Sequence, residues 1–509
     1  MTPSPDRLAR LRGVDWWALA CCAVAVGVYL AHGVEGRLSR DVGVYAYAGQ
    51  QVADGVAPYV GILNRSGPLA HLIPGAGVAA GRLVGLDDVV GIRLLFLLIA
   101  AACVGLMYVV GRDMFRSRLA GLSSAAALLC FEGFIDLAAY GPREKTPMIL
   151  FLLATLLATV HRRWATAGVC IALGALTWQP VFPVALVCAT TAALVGLRSG
   201  RVRALLRIAV GGAVPAAVTL GAYAAIGEVR LLLDDFLLIN LRYTQQEGFL
   251  TNPDEAWISL VNGYGASLAV FLVGLAALLG LTVAALVRRR DLSEPSTAAL
   301  VGTGAAAGVA VLWTYRAYNS WPDVFFLLPL AAVGIGGLAG HLRHRLPLRA
   351  AVAVTVAWAL AATAIALVHS VTDRDTRIRR QRASVAAVMR VVPDARIASV
   401  GAPEAMVLAR QRNPAPIQLL GLGLSDYVDD TWPGGLDGYA RWITEDRRPL
   451  LMALGNHSTI RLLGPRFRDH YQRVGRAPTW IWFVRRDAPE SVRDTLRSTL
   501  RRPDRPVQG

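Results

Sequence analysis

Apolar runs of about 17–22 residues recur along the chain. That is the length a helix needs to cross roughly 30 Å of hydrocarbon. Clear blocks fall at about 14–32, 89–110, 119–137, 146–161, 165–180, 181–197, 208–227, 267–287, 297–315, 324–341 and 350–369. This pattern excludes a conventional soluble fold and predicts an all-α polytopic membrane domain. Composition agrees, with 55% hydrophobic and only 17% charged residues, against about a quarter charged in soluble domains. The first block is expected to persist as a span, because no small-residue cleavage site follows it and further blocks do.

A twelfth apolar stretch, PLAHLIPGAGVAAGRLVG (68–85), is glycine-rich and interrupted by Pro74 and Arg82. Arginine decides its status, since positive charge collects in cytoplasmic loops. The candidate loops are the N-terminus (Arg7, Arg10, Arg12), GRDMFRSR, HRRW, RSGRVRALLR, VRRRDLSEPS and HLRHRLPLR. All six share one side only if 68–85 does not span. The reading is therefore eleven spans, N-terminus inside and C-terminus outside, with 68–85 juxtamembrane or re-entrant. The same rule accounts for the formal charge of +17, so no nucleic-acid partner is expected. The six cysteines all sit in apolar blocks, with no metal or disulfide spacing.

Residues 1–369 thus form the membrane domain. After His369 the chain becomes charged and turn-rich. RIASVG, PIQLL, LLMAL and TWIWFVRR read as strands; PEAMVLARQR, GGLDGYARWITED and STIRLLGPRFRDHYQRVG read as helices. Residues 370–509 are expected to form a small extracytoplasmic α/β domain with a mainly parallel sheet and a disordered tail, RRPDRPVQG.

By this topology the polar motifs of interest lie on the outer side. SRDVGVYAYAGQQVADG predicts a helix over about 42–54 on the membrane surface, with Asp41 near its N-cap and Tyr45 and Tyr47 at the interface. A carboxylate there can act as a base near cations. GILNRSGPLA offers Arg65 for a phosphate arriving from the bilayer, or for lipid headgroups. GPREKTP sets Arg143, Glu144 and Lys145, the chain's only lysine, in an outer loop. Positive charge there opposes the usual bias and suits an anionic ligand. TWQP supplies Trp178 and Gln179, NLRYTQQEG supplies Asn240 and Tyr243, and RAYNSWPDVFF supplies Arg316, Trp321 and Asp323.

Taken in order, SRDVGVYAYAGQQVADGVAPY, NRSGPLA, GPREKTPM, LTWQP, INLRYT and NSWPDVFFLLP resemble the GT-C class of membrane glycosyltransferases. That class includes protein O-mannosyltransferases and the aminoarabinose transferases of lipid A. The likeness is strongest to prokaryotic dolichyl-phosphate-mannose mannosyltransferases and covers most of 33–330. It implies a module of about seven spans with juxtamembrane helices in the first outer loop. It also implies a polyprenyl-phosphate-linked sugar donor and a glycan, lipid or protein acceptor, on the outer face of the plasma (inner) membrane. Asp41 takes the place of the family's first-loop acid, as general base or orienting group, and Glu144 that of its second. The chain departs from the pattern at Ser66, where relatives often carry lysine, and at Asp41-Val42, where many have two acids. Arg65, Arg143, Lys145 and Arg316 then serve the donor phosphate. Tyr45, Trp178, Gln179, Asn240, Tyr243, Trp321 and Asp323 serve sugar or acceptor. A single displacement would invert the anomeric centre, and because side-chain cations can neutralise one phosphate, neither metal nor cofactor is required. The alternatives are a lipid-linked sugar transporter or flippase, a diphosphate-donor ligase or polymerase, and a non-catalytic scaffold.

Overall fold

The computed structural model describes residues 15–244, 248–287, 291–421 and 423–501. The N-terminal arginines, the TQQEG run beyond Thr244 and the expected disordered tail lie largely outside them. Among the described residues, five helices are long and apolar enough to cross a membrane: Asp88–Phe115, Arg201–Ala225, Ser267–Val287, Pro295–Arg316 and Leu348–Thr372. A sixth candidate is broken, Arg118–Leu129 and Glu132–Tyr140 meeting at 68°. Shorter apolar helices, Trp16–His32, Lys145–Val160, Trp164–Ala175 and Val181–Gly196, complete the bundle with Leu327–Arg345. On Arg201–Ala225, the side chains of Val202, Leu206, Val210, Val214 and Val218 form an exposed ridge at four-residue spacing. An apolar ridge of that kind marks a lipid-facing surface. The chain is a multi-pass membrane protein.

The loop after the first helix folds into two further helices, Arg40–Ala53 and Leu69–Leu83. The first does not lie open on a surface as expected. A Cβ on Gly43 would come 2.8 Å from the Glu404 amide nitrogen, and one on Gly49 would come 2.7 Å from Pro74. These glycines let the helix be clasped between Leu69–Leu83 and helix Pro403–Ala409 of the C-terminal region. Tyr45 and Tyr47 are accordingly buried, and the Tyr47 hydroxyl accepts from the Asn413 amide at 2.9 Å. Gln381 exchanges both amide bonds with the Leu38 backbone, at 2.9 and 2.8 Å.

The C-terminal region carries a four-stranded sheet of β1 (Ile397–Val400), β2 (Leu451–Leu454), β3 (Tyr471–Arg476) and β4 (Ile481–Arg485), in order β1-β2-β4-β3. Only β1–β2 is parallel; β2–β4 and β3–β4 are antiparallel. The expectation of a mainly parallel sheet is corrected. YQRVGR, read as the end of a helix, is β3: the helices stop at His470, and the segment pairs with β4 through a tight turn in which the Ala477 amide donates to the Trp480 carbonyl at 2.8 Å. PIQLL is not a strand. Pro414 and Pro416 remove ladder donors, and side-chain amides serve the free edge of β1 instead. Gln411 accepts from the Ile397 amide at 3.0 Å, and Asn413 bridges both backbone groups of Ser399 at 3.1 and 2.8 Å.

Candidate active site

A cavity of about 350 Å³ opens where the interhelical loops, the bundle and the C-terminal region meet. It gathers most of the residues singled out in the sequence: Asp41, Tyr45, Arg65, Arg143, Glu144, Lys145, Trp178, Gln179, Asn240 and Asp323. Arg316, Trp321 and Tyr243 do not line it. Arg316 is exposed at the end of Pro295–Arg316. Trp321 is a packing wedge whose indole lies over Gly133 and Gly263. Tyr243 meets Tyr427 edge-on, with ring centroids 5.3 Å apart.

Asp41 is not the helix cap. Ser39 is, its hydroxyl accepting from the Val42 amide at 3.4 Å. Asp41 sits one residue inside the helix, free of capping duty, with Oδ2 2.7 Å from Arg143 Nη1 and Oδ1 3.5 Å from Arg40 Nε. Burial alone would raise its pKa, but Arg143, Arg40 and Lys145 outweigh it and hold the carboxyl at about 2. Arg143 also lies 3.4 Å from Glu144. Burial works against its charge, yet the two carboxylates raise its pKa further. Lys145 Nζ pairs with Asp323 at 2.5 Å and lies 4.6 Å from the centroid of the Trp178 ring. Burial would push Asp323 up, but Lys145 draws its pKa below the ordinary carboxylate value. Four cationic side chains, Arg40, Arg65, Arg143 and Lys145, thus face three carboxylates across the cavity.

The supporting contacts explain how distant motifs converge. NRSGP docks directly on LTWQP: the Gly67 and Leu69 amides donate to the Thr177 and Leu176 carbonyls at 3.2 and 3.0 Å. The Arg65 carbonyl accepts from both Gln179 and Asn240 side-chain amides, at 2.9 and 2.7 Å. Those two amides therefore position the Arg65 loop. Ser66 is held by the Tyr45 hydroxyl at 2.7 Å, and its carbonyl by Tyr59 at 2.6 Å.

Sequence reasoning missed three contributors. Fully buried Arg93 donates to the Val34 carbonyl at 2.7 Å and to those of Arg37 and Gly141 at 3.4 Å. It thereby joins the segment leading to Asp41 with the turn leading to Arg143. A lone arginine within the apolar block GIRLLFLLIAA was the available signal. Leu419, Gly421 and Leu424 of the C-terminal region roof the cavity; nothing in their pattern announced it. Glu404, packed beneath the Asp41 helix, is fully buried, and neither of its oxygens has a hydrogen-bond partner of normal geometry. Burial pushes its carboxyl up to about 8 despite opposing pulls from Thr479 and Arg40.

Solved structures share this architecture. The chain superposes on ArnT from Cupriavidus metallidurans in the apo state with a TM-score of 0.62, at 13% identity, over 92% of this chain and 97% of that one. The same protein bound to undecaprenyl phosphate gives 0.59 at 12% identity, over 94% and 99%. The Archaeoglobus fulgidus oligosaccharyltransferase, in complex with Zn and sulfate, gives 0.52 at 11% identity, over 95% and 76%. No protein-family model matches the chain, and neither does any curated protein sequence. The chain therefore shares the fold of ArnT and of this oligosaccharyltransferase.

Proposed function

We propose that this protein is a membrane glycosyltransferase that transfers a sugar from a polyprenyl-phosphate donor to an acceptor hydroxyl on the outer face of the membrane. The observation that carries this reading is a shared cavity in which Asp41 faces Arg143, Lys145 and Arg65. The undecaprenyl phosphate bound by the similarly folded ArnT supports a lipid-phosphate donor. The eleven-span, C-outside topology belongs to the same proposal, as do the division at residue 369 and the choice of mannose or another hexose or pentose.

The acceptor oxygen bonds to the anomeric carbon as the bond from that carbon to the phosphate oxygen breaks. The hydroxyl proton passes to Asp41, and the phosphate departs as an anion toward the cations. With Arg143 in place, a carboxyl at about 2 is a weak base. A donor phosphate competes for Arg143, frees Asp41 Oδ2 and raises its basicity only when donor is present. Glu144 and Asp323 keep Arg143 and Lys145 aimed into the cavity.

Asp41→Asn tests the assignment. Transfer should fall by about 10²–10⁴-fold, the usual contribution of a general base, while polyprenyl phosphate still stabilises the folded protein. Full transfer by that variant would remove Asp41 from the role.

A further inference from the structure

A second cluster lies apart from the cavity residues, where the first and last long apolar stretches end. His32 closes helix Trp16–His32, His369 lies in the last turn of Leu348–Thr372, and Asp136 lies on the short helix Glu132–Tyr140. One ligand atom from each lies within 4.8 Å of the other two. His369 Nε2 is 2.8 Å and His32 Nε2 3.3 Å from the same oxygen, Asp136 Oδ1. The edge of a tetrahedron with metal–ligand bonds of ~2.0 Å is about 3.3 Å; the His32–Asp136 separation matches it, and the shorter His369–Asp136 separation, a hydrogen-bond distance as it stands, would open by about 0.5 Å around a tetrahedral ion.

The opposite ring nitrogens show which ring atoms are left facing Asp136. His32 Nδ1 lies 3.2 Å from the Ser370 carbonyl oxygen. A carbonyl only accepts, so Nδ1 carries the hydrogen. His369 Nδ1 lies 3.0 Å from the Asp373 carboxylate and 3.7 Å from that of Glu132, which likewise makes it the donor. With both imidazoles neutral, the two Nε2 lone pairs and Asp136 Oδ1 form a donor set that an ion can fill; with His369 doubly protonated, its Nε2–H donates to Asp136 Oδ1 across the same 2.8 Å instead. His32 is fully buried, and its Nε2 has no hydrogen bond of normal geometry.

We propose that His32, Asp136 and His369 bind a divalent transition-metal ion of the zinc class. Two imidazoles and a carboxylate form a borderline donor set suited to zinc rather than to magnesium or calcium, which prefer all-oxygen shells. The Ser370 carbonyl and the Asp373 and Glu132 carboxylates orient the rings, as partners of metal-bound histidines do elsewhere. The ion ties three helices together beside the chain's passage into the C-terminal region. Tyr140, packed on the His32 ring at 4.4 Å, accepts from the Asp375 amide at 2.6 Å, so the tie extends into that passage. Its role is to fix the C-terminal roof over the bundle. The sequence hides the site, because two of its ligands are 233 residues apart.

The test uses the full chain purified in detergent. Elemental analysis should find about one zinc per chain. Chelation should lower the unfolding midpoint, and Zn²⁺, but not Mg²⁺, should restore it. Cobalt(II) titration should give the intense visible bands of a tetrahedral ion. Asp373→Asn, which keeps all three ligands, should weaken zinc binding about 10–100-fold; the double variant His32→Ala/Asp136→Asn should bind none. Should the double variant fail to fold, the wild-type cobalt spectrum and the Asp373→Asn affinity still decide. Wild-type zinc content at background overturns the proposal. So does a midpoint that rises on acidification yet ignores both chelator and zinc, because protons then fill the gap.

Discussion

Glu404→Gln should stabilise the protein, and by an amount that grows with pH. The wild-type carboxyl is fully buried and titrates at about 8, against 4.5 unfolded. Its folded-state pKa is raised, so folding takes up a proton between those values. This group therefore costs nothing below about pH 4.5, and its penalty grows as pH rises, levelling off above about 8. At 1.36 kcal/mol per unit, the penalty is about 1 kcal/mol at about pH 5, about 3 at about pH 7 and about 5 at about pH 9. Glutamine keeps the shape and never ionises. Unfolding entropies of about 2 cal/mol/K per residue over 509 residues convert a gap of about 4 kcal/mol into a midpoint shift of about 4 °C. Thermal unfolding in detergent across that pH range is the assay. The variant should track the wild type near pH 5 and exceed it by several degrees near pH 9. A gap that is constant with pH, or that opens toward acid, would refute the reasoning.

Two further substitutions probe the cavity. Gly67→Ala should detach the first-loop turn from LTWQP, because its Cβ would collide with the Leu176 carbonyl oxygen. Transfer should be lost while the C-terminal region still resists proteolysis, and undiminished activity would contradict the docking. Arg143→Gln removes the strongest opponent of burial at Asp41. The acid limb of the pH–rate profile should move upward from below the accessible range into the mildly acidic region, whereas an unmoved limb would show that Asp41 does not govern the rate.

Much of the site was legible because its chemistry is carried by loop residues in unusual settings. Arg143, Glu144 and Lys145 stand out as charges on the side where the topology expects few, and the structure brings them to Asp41. NRSGP and LTWQP were each visible, but their mutual docking runs through backbone amides and one glycine, which no side-chain pattern encodes. The helix begins two residues earlier than expected, at Arg40, so that Ser39, a good N-cap type, caps it and Asp41 lies in its first turn. Trp321 and Tyr243 look like binding aromatics in sequence, and only tertiary packing assigns them to Gly133, Gly263 and Tyr427. The C-terminal sheet was misjudged where local composition competes with pairing. PIQLL has strand-like residues, but its prolines cannot feed a ladder; YQRVGR continues a helical pattern, but its partner is β4. The roof at Leu419, Gly421 and Leu424 and the histidine cluster depend on contacts between remote segments.

The most direct measurement is to incubate the purified chain in liposomes with labelled polyprenyl-phosphate mannose and other lipid-phosphate sugars, together with membrane acceptor fractions. Transferred label and released polyprenyl phosphate are then quantified together. The account predicts that both appear in equal amounts with one of these donors, and that both fall at least about 10²-fold in Asp41→Asn. Donor that is bound or moved across the bilayer intact, with neither product formed by the wild type, would contradict it.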